Sequence, residues 1–136
     1  MKILLVGGGG REHALAWRIR HDDPAAELIA APGNPGIATL ARCVAIAVTD
    51  VDALVALAEA ERVDVTIVGP EAPLAAGIVD RFRARRLAIF GPTQAAAEIE
   101  TSKAFAKQLM ADAGVPTARA VMHTDPAAAK RTARAI

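Results

Sequence analysis

Short apolar runs alternate with amphipathic helical patterns along most of this chain, and the alternation restricts its fold more than any other feature. Each run has the length of a strand and ends at Gly, Pro, Asn or Thr-Asp. The predicted strands are Ile3–Val6, Leu28–Ala31, Val44–Val48, Val65–Val68 and Leu87–Phe90. Because the runs are continuous, they favour a parallel sheet that helices cover on both faces. The pattern predicts an open, doubly wound α/β sheet with right-handed crossovers.

Helical periodicity occupies the segments between and after these runs. The predicted helices are Glu12–Arg20, Asp52–Glu61, Leu74–Arg86, Gln94–Glu100 and Lys103–Ala113, with a last Ala/Arg/Lys helix after them. The Gly/Pro loop from Pro32 to Arg42 has room for one or two helical turns. We expect one domain over residues 1–100, and over residues 101–136 the helical start of a further region of a larger protein.

Composition excludes several functional classes. Of the 136 residues, 53% are hydrophobic and 23% are charged, which excludes a disordered chain. The net charge of +1, with no Tyr, one Trp and three Phe, predicts neither a nucleic acid nor a membrane partner. The single cysteine, Cys43, has no Cys/His cluster around it, so we assign no metal ligand and expect a buried thiol. A reduced thiol and a start too short for a signal segment predict a cytoplasmic protein.

Four glycines, Gly7–Gly10, follow the first predicted strand and open the first helix. Glycines at this position let backbone N–H groups approach an anion at a helix N-terminus. The third glycine of a dinucleotide fingerprint would fall at Glu12 or His13, and the second strand ends without a carboxylate for a ribose. The missing glycine and the missing carboxylate both argue against NAD as the ligand and favour a smaller molecule that carries a phosphate. The alternative is a glycine turn that serves only close packing.

Three loops follow predicted strands and should meet at one edge of the sheet, where α/β proteins bind ligands. They are Gly7–Arg11, Pro32–Gly36 and Gly69–Pro73. Arg11 can contact a phosphate, Glu71 can accept hydrogen bonds from vicinal sugar hydroxyls, and Asn34 can add an amide. Taken singly, Asn34 is also typical of a turn and Glu71 of a helix start. Together the loops predict a sugar phosphate site.

Three other features favour structural roles. His13, in the first turn of the first helix, could polarise a substrate or be a packed side chain, and the lack of a visible catalytic partner favours packing. Trp17 is predicted to pack in the core or a groove. The arginines between Arg81 and Arg86 suit a solvated helix end. No catalytic residue can be named from the sequence.

The loop sequences together resemble a known family. The segments that carry the resemblance are Gly7–Trp17, Ala31–Gly36, Thr66–Leu74, Ile89–Thr93 and Ser102–Lys107. They are similar to the N-terminal region of the phosphoribosylamine–glycine ligases, which belong to the ATP-grasp superfamily. The similarity covers essentially the whole chain, and Gly-Gly-Arg-Glu-His together with Ile-Val-Gly-Pro-Glu-Ala-Pro-Leu is its most specific part.

The resemblance implies a Rossmann-like, pre-ATP-grasp domain and a step of purine synthesis. Family enzymes join glycine to 5-phosphoribosylamine through a glycyl phosphate and convert ATP to ADP and phosphate, with Mg²⁺ or Mn²⁺. The family pattern places the phosphate and the ribose at Gly9, Gly10, Arg11, Asn34 and Glu71, and ATP phosphates at Lys103 and Lys107.

Two departures from the family pattern bear on these expectations. Gly8 stands where the family commonly has Asn or Ser, and the metal-binding motif Arg-Phe-Gly-Asp-Pro-Glu is absent. We therefore expect residues 101–136 to be only the start of an ATP-grasp region, and the fragment alone to be inactive and to hold no cofactor. The alternatives are another ATP-grasp ligase that shares this domain, and a stand-alone module that binds ribose phosphates.

Overall fold

The protein, described here as a computed structural model over residues 1–135, contains one parallel sheet flanked by helices. The strands are β1 (Lys2–Gly7), β2 (Glu27–Pro32), β3 (Arg42–Cys43), β4 (Val65–Val68) and β5 (Ile89–Phe90). The helices are α1 (Gly10–Asp22), α2 (Val51–Glu61), α3 (Glu71–Ala75), α4 (Ile78–Ala84), α5 (Gln94–Thr101), α6 (Lys103–Asp112) and α7 (Pro126–Ala135). The sheet order is β3-β2-β1-β4-β5, and every neighbouring pair is parallel. The predicted α/β class is confirmed.

β1 is the central strand and separates two layers of the core. Its residues Leu4 and Val6 pack with side chains from α2 and α4, whereas Leu5 packs with Ala16 of α1 and with Ile37. Successive side chains of a strand point to opposite faces, so a strand between two helical layers must be apolar at every position. The uninterrupted apolar run at the start of the chain follows from this double burial.

The third predicted strand was wrong in position. β3 covers Arg42–Cys43, and only Ile29 and Ala30 of β2 pair with it. The ladder stops where β2 reaches Pro32, which has no N–H to donate. In the apolar segment 44–48 that follows, the Val44 N–H still donates to the Ala30 carbonyl oxygen at 2.8 Å, and the segment then packs against the core without further pairing to β2. This packing accounts for its composition. Cys43 at this sheet edge is exposed, which contradicts the expected buried thiol.

The predicted helix Leu74–Arg86 is two helices. α3 ends at Ala75 and α4 begins at Ile78, with Gly77 between them at a φ of +80°. This left-handed backbone favours glycine and ends the first helix. The strand predicted at 87–90 is shortened to β5, and the loop at 32–42 contains one turn of 3-10 helix, Ile37–Thr39, as expected.

The chain divides into two compact units, Met1–Ala97 and a second unit that begins at Glu98. In the second unit the Ser102 hydroxyl accepts a hydrogen bond from the Phe105 N–H at 3.2 Å and caps α6. Gly114 follows this helix at a φ of +65°, as predicted for its C-terminal end. Across residues 1–135, every helix is either too short or too polar to form a membrane span.

Candidate functional site

The candidate site lies at the carboxyl ends of β1 and β4. The chain leaves β1 toward β2 and β3 on one side, and returns to β4 and β5 on the other. β1 and β4 therefore flank the switch point of the sheet, the position where α/β folds bind ligands, and we call the surface formed by the two loops that follow them the crevice. The glycine loop and α1 follow β1, and Gly69, Pro70 and α3 follow β4.

The glycine loop presents the N-terminus of α1 to this crevice. Gly9 is the N-cap residue, and its own N–H is donated to Glu12 Oε2 at 2.6 Å. The N–H groups of Gly10 and Arg11 lie in the first helical turn, where no intrahelical acceptor exists. A Cβ placed on Gly10 would meet no atom from outside the start of this helix within 4 Å, so the space beside Gly10 is open. Of the predicted glycine donors, Gly10 has its N–H available and Gly9 does not.

Arg11 and Glu71 meet across the crevice. The Arg11 Nη2 atom lies 3.2 Å from Glu71 Oε1, and both side chains are largely exposed. The backbone N–H of Glu71 and then the Arg11 guanidinium hold the pKa of this carboxyl below its ordinary value of 4.5. The crevice thus carries a cation and an ionised carboxylate at the N-terminal ends of α1 and α3.

Asn34 connects the loop after β2 to the glycine loop. Its Nδ2 donates to the Gly8 carbonyl oxygen at 2.9 Å, and its Oδ1 accepts from the Ile37 N–H at 2.8 Å. The two loops pack so closely that a Cβ on Gly8 would collide with the Gly33 carbonyl oxygen. The arrangement supports the turn interpretation of Asn34, because both ends of its amide already have protein partners.

Glu12 is the residue of this region that sequence reasoning missed. It is only 3% exposed, and its side chain lies beneath the loops that follow both central strands. The available signal was its position three residues after the N-cap, the spacing at which a glutamate reaches back to the N-cap N–H. In the comparison with the dinucleotide fingerprint, Glu12 was considered only as a position that lacks the expected third glycine.

The outer face of α1 borders the crevice with an open depression. The depression has a volume of about 360 Å³ and is lined by Gly10, His13, Ala14 and Trp17. Trp17 is 55% exposed and stacks on His21 with ring centroids 5.2 Å apart, so of the two predicted places it lies in a groove and not in the core. The His13 ring lies so close to Gly36 that a Cβ there would collide with it, which agrees with a packed histidine.

The second unit holds the two lysines that the family pattern singled out. Lys103 and Lys107 line a cavity of about 610 Å³ together with Val121, Met122 and His123. Lys107 Nζ donates to Thr117 Oγ1 at 2.7 Å and to the Ala118 carbonyl oxygen at 2.6 Å. Within residues 1–135 there is no group of three or more His, Cys, Asp or Glu side chains that could hold a metal ion.

A family model supplies the decisive comparison. The model described as "Phosphoribosylglycinamide synthetase, N domain" matches residues 1–100, which is most of the chain. The chain belongs to this family. The phosphoribosylglycinamide synthetase N domain therefore comprises the sheet, the crevice and all three loops described above.

Curated relatives of this N domain are much longer proteins. The phosphoribosylamine–glycine ligase of Xylella fastidiosa is 56% identical over 131 residues, which cover 95% of this chain and 30% of that protein. The Pseudomonas aeruginosa ligase is 55% identical over 120 residues, with 87% and 28% covered. The chain thus spans about 30% of the length of the curated relatives it matches.

Solved structures agree on the fold of the N domain. Phosphoribosylamine–glycine ligase from Thermotoga maritima matches with a TM-score of 0.63 and 27% identity, over 88% of this chain and 26% of that one. A second structure, described as glycinamide-RNase-transformylase T from Mycobacterium tuberculosis, matches with a TM-score of 0.72 and 21% identity. It covers 98% of this chain and 38% of its own length, and at that identity it supports the fold alone.

Proposed function

We propose that this chain binds the sugar phosphate half of 5-phosphoribosylamine for a ligase that joins glycine to it at the expense of ATP. The observation that carries the proposal is the facing pair at the switch point, with Arg11 and Glu71 3.2 Å apart beside an open helix N-terminus. A ribose phosphate has a dianionic end and vicinal hydroxyls, and these are the groups that such a pair recognises.

The phosphate is assigned to the start of α1. The Gly10 and Arg11 N–H groups point from the first turn, and the Arg11 guanidinium adds a charge-assisted contact. Gly9 has no side chain and so leaves room for the Glu12 carboxylate, since a Cβ on Gly9 would lie 2.9 Å from Glu12 Oε2. Glu71, ionised at neutral pH, accepts from the ribose hydroxyls once Arg11 turns to the phosphate. Asn34 holds the glycine loop through the Gly8 carbonyl.

The nucleotide is assigned to the second unit. ATP, when bound, supplies the phosphoryl group that activates the carboxylate of glycine. A cavity with Lys103 and Lys107 beside apolar Val121 and Met122 fits the phosphates and the base of a nucleotide. Residues 1–135 offer no matching acidic cluster for Mg²⁺ or Mn²⁺, so we assign no metal ligand among them.

The division of labour follows the two units. We assign residues 1–100 to substrate binding and residues 101–136 to the start of an ATP-grasp region, a division supported by the boundary between Ala97 and Glu98. The site for glycine and the rest of the ATP site are then assigned to the part of the longer relatives that this chain does not span. We place the reaction in the cytoplasm, because the exposed thiol of Cys43 suits a reducing compartment.

The test is a calorimetric titration of the 136-residue chain with ribose 5-phosphate, inorganic phosphate and NAD. Saturable binding of ribose 5-phosphate that is stronger than binding of phosphate supports the proposal. Equal affinity for the two anions removes Glu71 from sugar recognition. Tight binding of NAD with no binding of ribose 5-phosphate would instead indicate a dinucleotide fold and overturn the assignment.

A further inference from the structure

Glu12 is a buried carboxylate with no role in the site as assigned above. It lies in the first turn of α1 and is 3% exposed, at the end of the sheet where β1 and β4 release their loops. A glutamate is almost never so buried unless its charge has a partner. Its surroundings therefore indicate what the side chain does.

Three glycines from two loops make room for this one side chain. A Cβ on Gly7 would lie 2.6 Å from Glu12 Cγ, and a Cβ on Gly9 would lie 2.9 Å from Oε2. A Cβ on Gly69, in the loop after β4, would collide with Oε1. The Glu12 side chain consequently fills the space between the glycine loop and the loop that leads to Glu71.

The two oxygens of Glu12 are satisfied unequally. Oε2 accepts the Gly9 N–H at 2.6 Å, whereas Oε1 is buried and accepts no hydrogen bond from residues 1–135. The nearest cation is Arg11, whose Nε lies 3.5 Å from Oε1. A buried carboxylate oxygen without a hydrogen bond lowers stability, and an apolar side chain of the same length would fill the space without that cost. Packing alone therefore does not account for a glutamate at this position.

We propose that Glu12 is the positioning residue of the sugar phosphate site, an inference that rests on the proposed function. Its Oε2 accepts the Gly9 N–H, so that this N–H is not available to the phosphate and the phosphate binds the N–H groups of Gly10 and Arg11. Its Oε1 attracts the Arg11 side chain toward the start of the helix. Its stem keeps the β1 and β4 loops at a fixed separation, which sets the distance between the phosphate and the sugar hydroxyls.

The test separates the hydrogen bond from the packing with two variants of similar length. Glu12→Gln keeps an acceptor for the Gly9 N–H, and Glu12→Met keeps only the bulk. Glu59→Gln is the matched control, because Glu59 pairs with Arg85 at 3.2 Å on the exposed surface of the same unit. Each variant of the 136-residue chain is titrated with ribose 5-phosphate, and its melting temperature is measured.

We expect Glu12→Met to stay folded, because it removes the unpaired Oε1 at the same time as the acceptor of the Gly9 N–H, while its affinity for ribose 5-phosphate falls at least about tenfold. Glu12→Gln should stay within about threefold of the parent chain, as should Glu59→Gln. Three results overturn the proposal: a Met variant that binds as the parent does, a Gln variant that loses as much as the Met variant, and a Met variant that unfolds. The last would make Glu12 structural.

Amide hydrogen exchange keeps the inference testable if the parent chain binds no ribose phosphate. That result would refute the proposed function alone. A positioning role still predicts faster exchange of the Gly9 N–H in Glu12→Met, where its acceptor is lost, with the parent rate in Glu12→Gln. Equal rates in all variants would refute the positioning role independently of any ligand.

Discussion

Replacing Gly10 by alanine should raise the stability of the first unit and weaken its binding of ribose 5-phosphate. Gly10 is the first residue of α1, its φ lies outside the left-handed region, and an added Cβ would meet nothing within 4 Å. Alanine can therefore adopt the native backbone without a collision, and it restricts the unfolded chain. A substitution that adds only a methyl group in open space has no structural reason to harm the fold.

The expected gain in the free energy of unfolding is about 0.4–1 kcal/mol, the usual effect of Gly→Ala at a compatible position. For a unit of this size, the melting temperature should rise by roughly 2–8 °C. Binding should change in the opposite direction. The methyl group would stand beside the first-turn N–H groups, and a loss of about tenfold in affinity corresponds to about 1.4 kcal/mol.

Thermal unfolding by circular dichroism and calorimetric titration with ribose 5-phosphate measure the two effects on one preparation. Gly77→Ala is the control, because its φ of +80° makes alanine strained there. It should lower the melting temperature and leave the affinity unchanged. A Gly10→Ala protein that gains stability but binds as the parent does would refute the assignment of the α1 N-terminus to the phosphate.

Three further perturbations test other contacts. Arg11→Ala should weaken ribose 5-phosphate binding by about tenfold or more, whereas the similarly exposed Arg18→Ala should not; equal titration curves would exclude the guanidinium from the site. The pKa of Glu61 is lowered mainly by Arg42, so its stabilising effect is present above the ordinary value of 4.5 and is lost as pH falls below it. Glu61→Gln should thus flatten the decline of melting temperature between about pH 5 and pH 3, and an unchanged slope would contradict this. The Asp50 side chain accepts the Ala53 N–H at 3.1 Å and caps α2. Asp50→Ala should therefore lower the free energy of unfolding, measured with urea, by about 0.5–2 kcal/mol.

Local patterns in the sequence were sufficient to predict the strands at the centre of the sheet. The predicted first, second and fourth strands lie within β1, β2 and β4, because strands covered on both faces are apolar at nearly every position, with the buried Thr66 of β4 as an exception. The glycine loop was found for a similar reason. A strand, a glycine run and a helix in immediate succession place the loop without any knowledge of distant contacts.

Features that depend on a distant partner were not predictable in the same way. The end of β3 is determined by Pro32 on the neighbouring strand, and the apolar residues after it looked like a strand because they still pack on the core. Glu12 reads as a charged surface residue of α1 until the loop with Gly69 is folded over it. The sequence could not decide whether Trp17 packs in the core or in a groove, because that depends on whether another element covers the outer face of α1.

The central place of β1 has a practical consequence for how the protein can be attached to a surface. The amino end of β1, where the Met1 carbonyl oxygen accepts the Glu27 N–H at 2.9 Å, lies at the opposite end of the strand from the glycine loop. Six residues of strand at about 3.3 Å each separate a tether at Met1 from that loop by roughly 20 Å. A sensor chip or bead coupled through the terminal amine would therefore hold the first unit with its crevice directed toward the flowing solution.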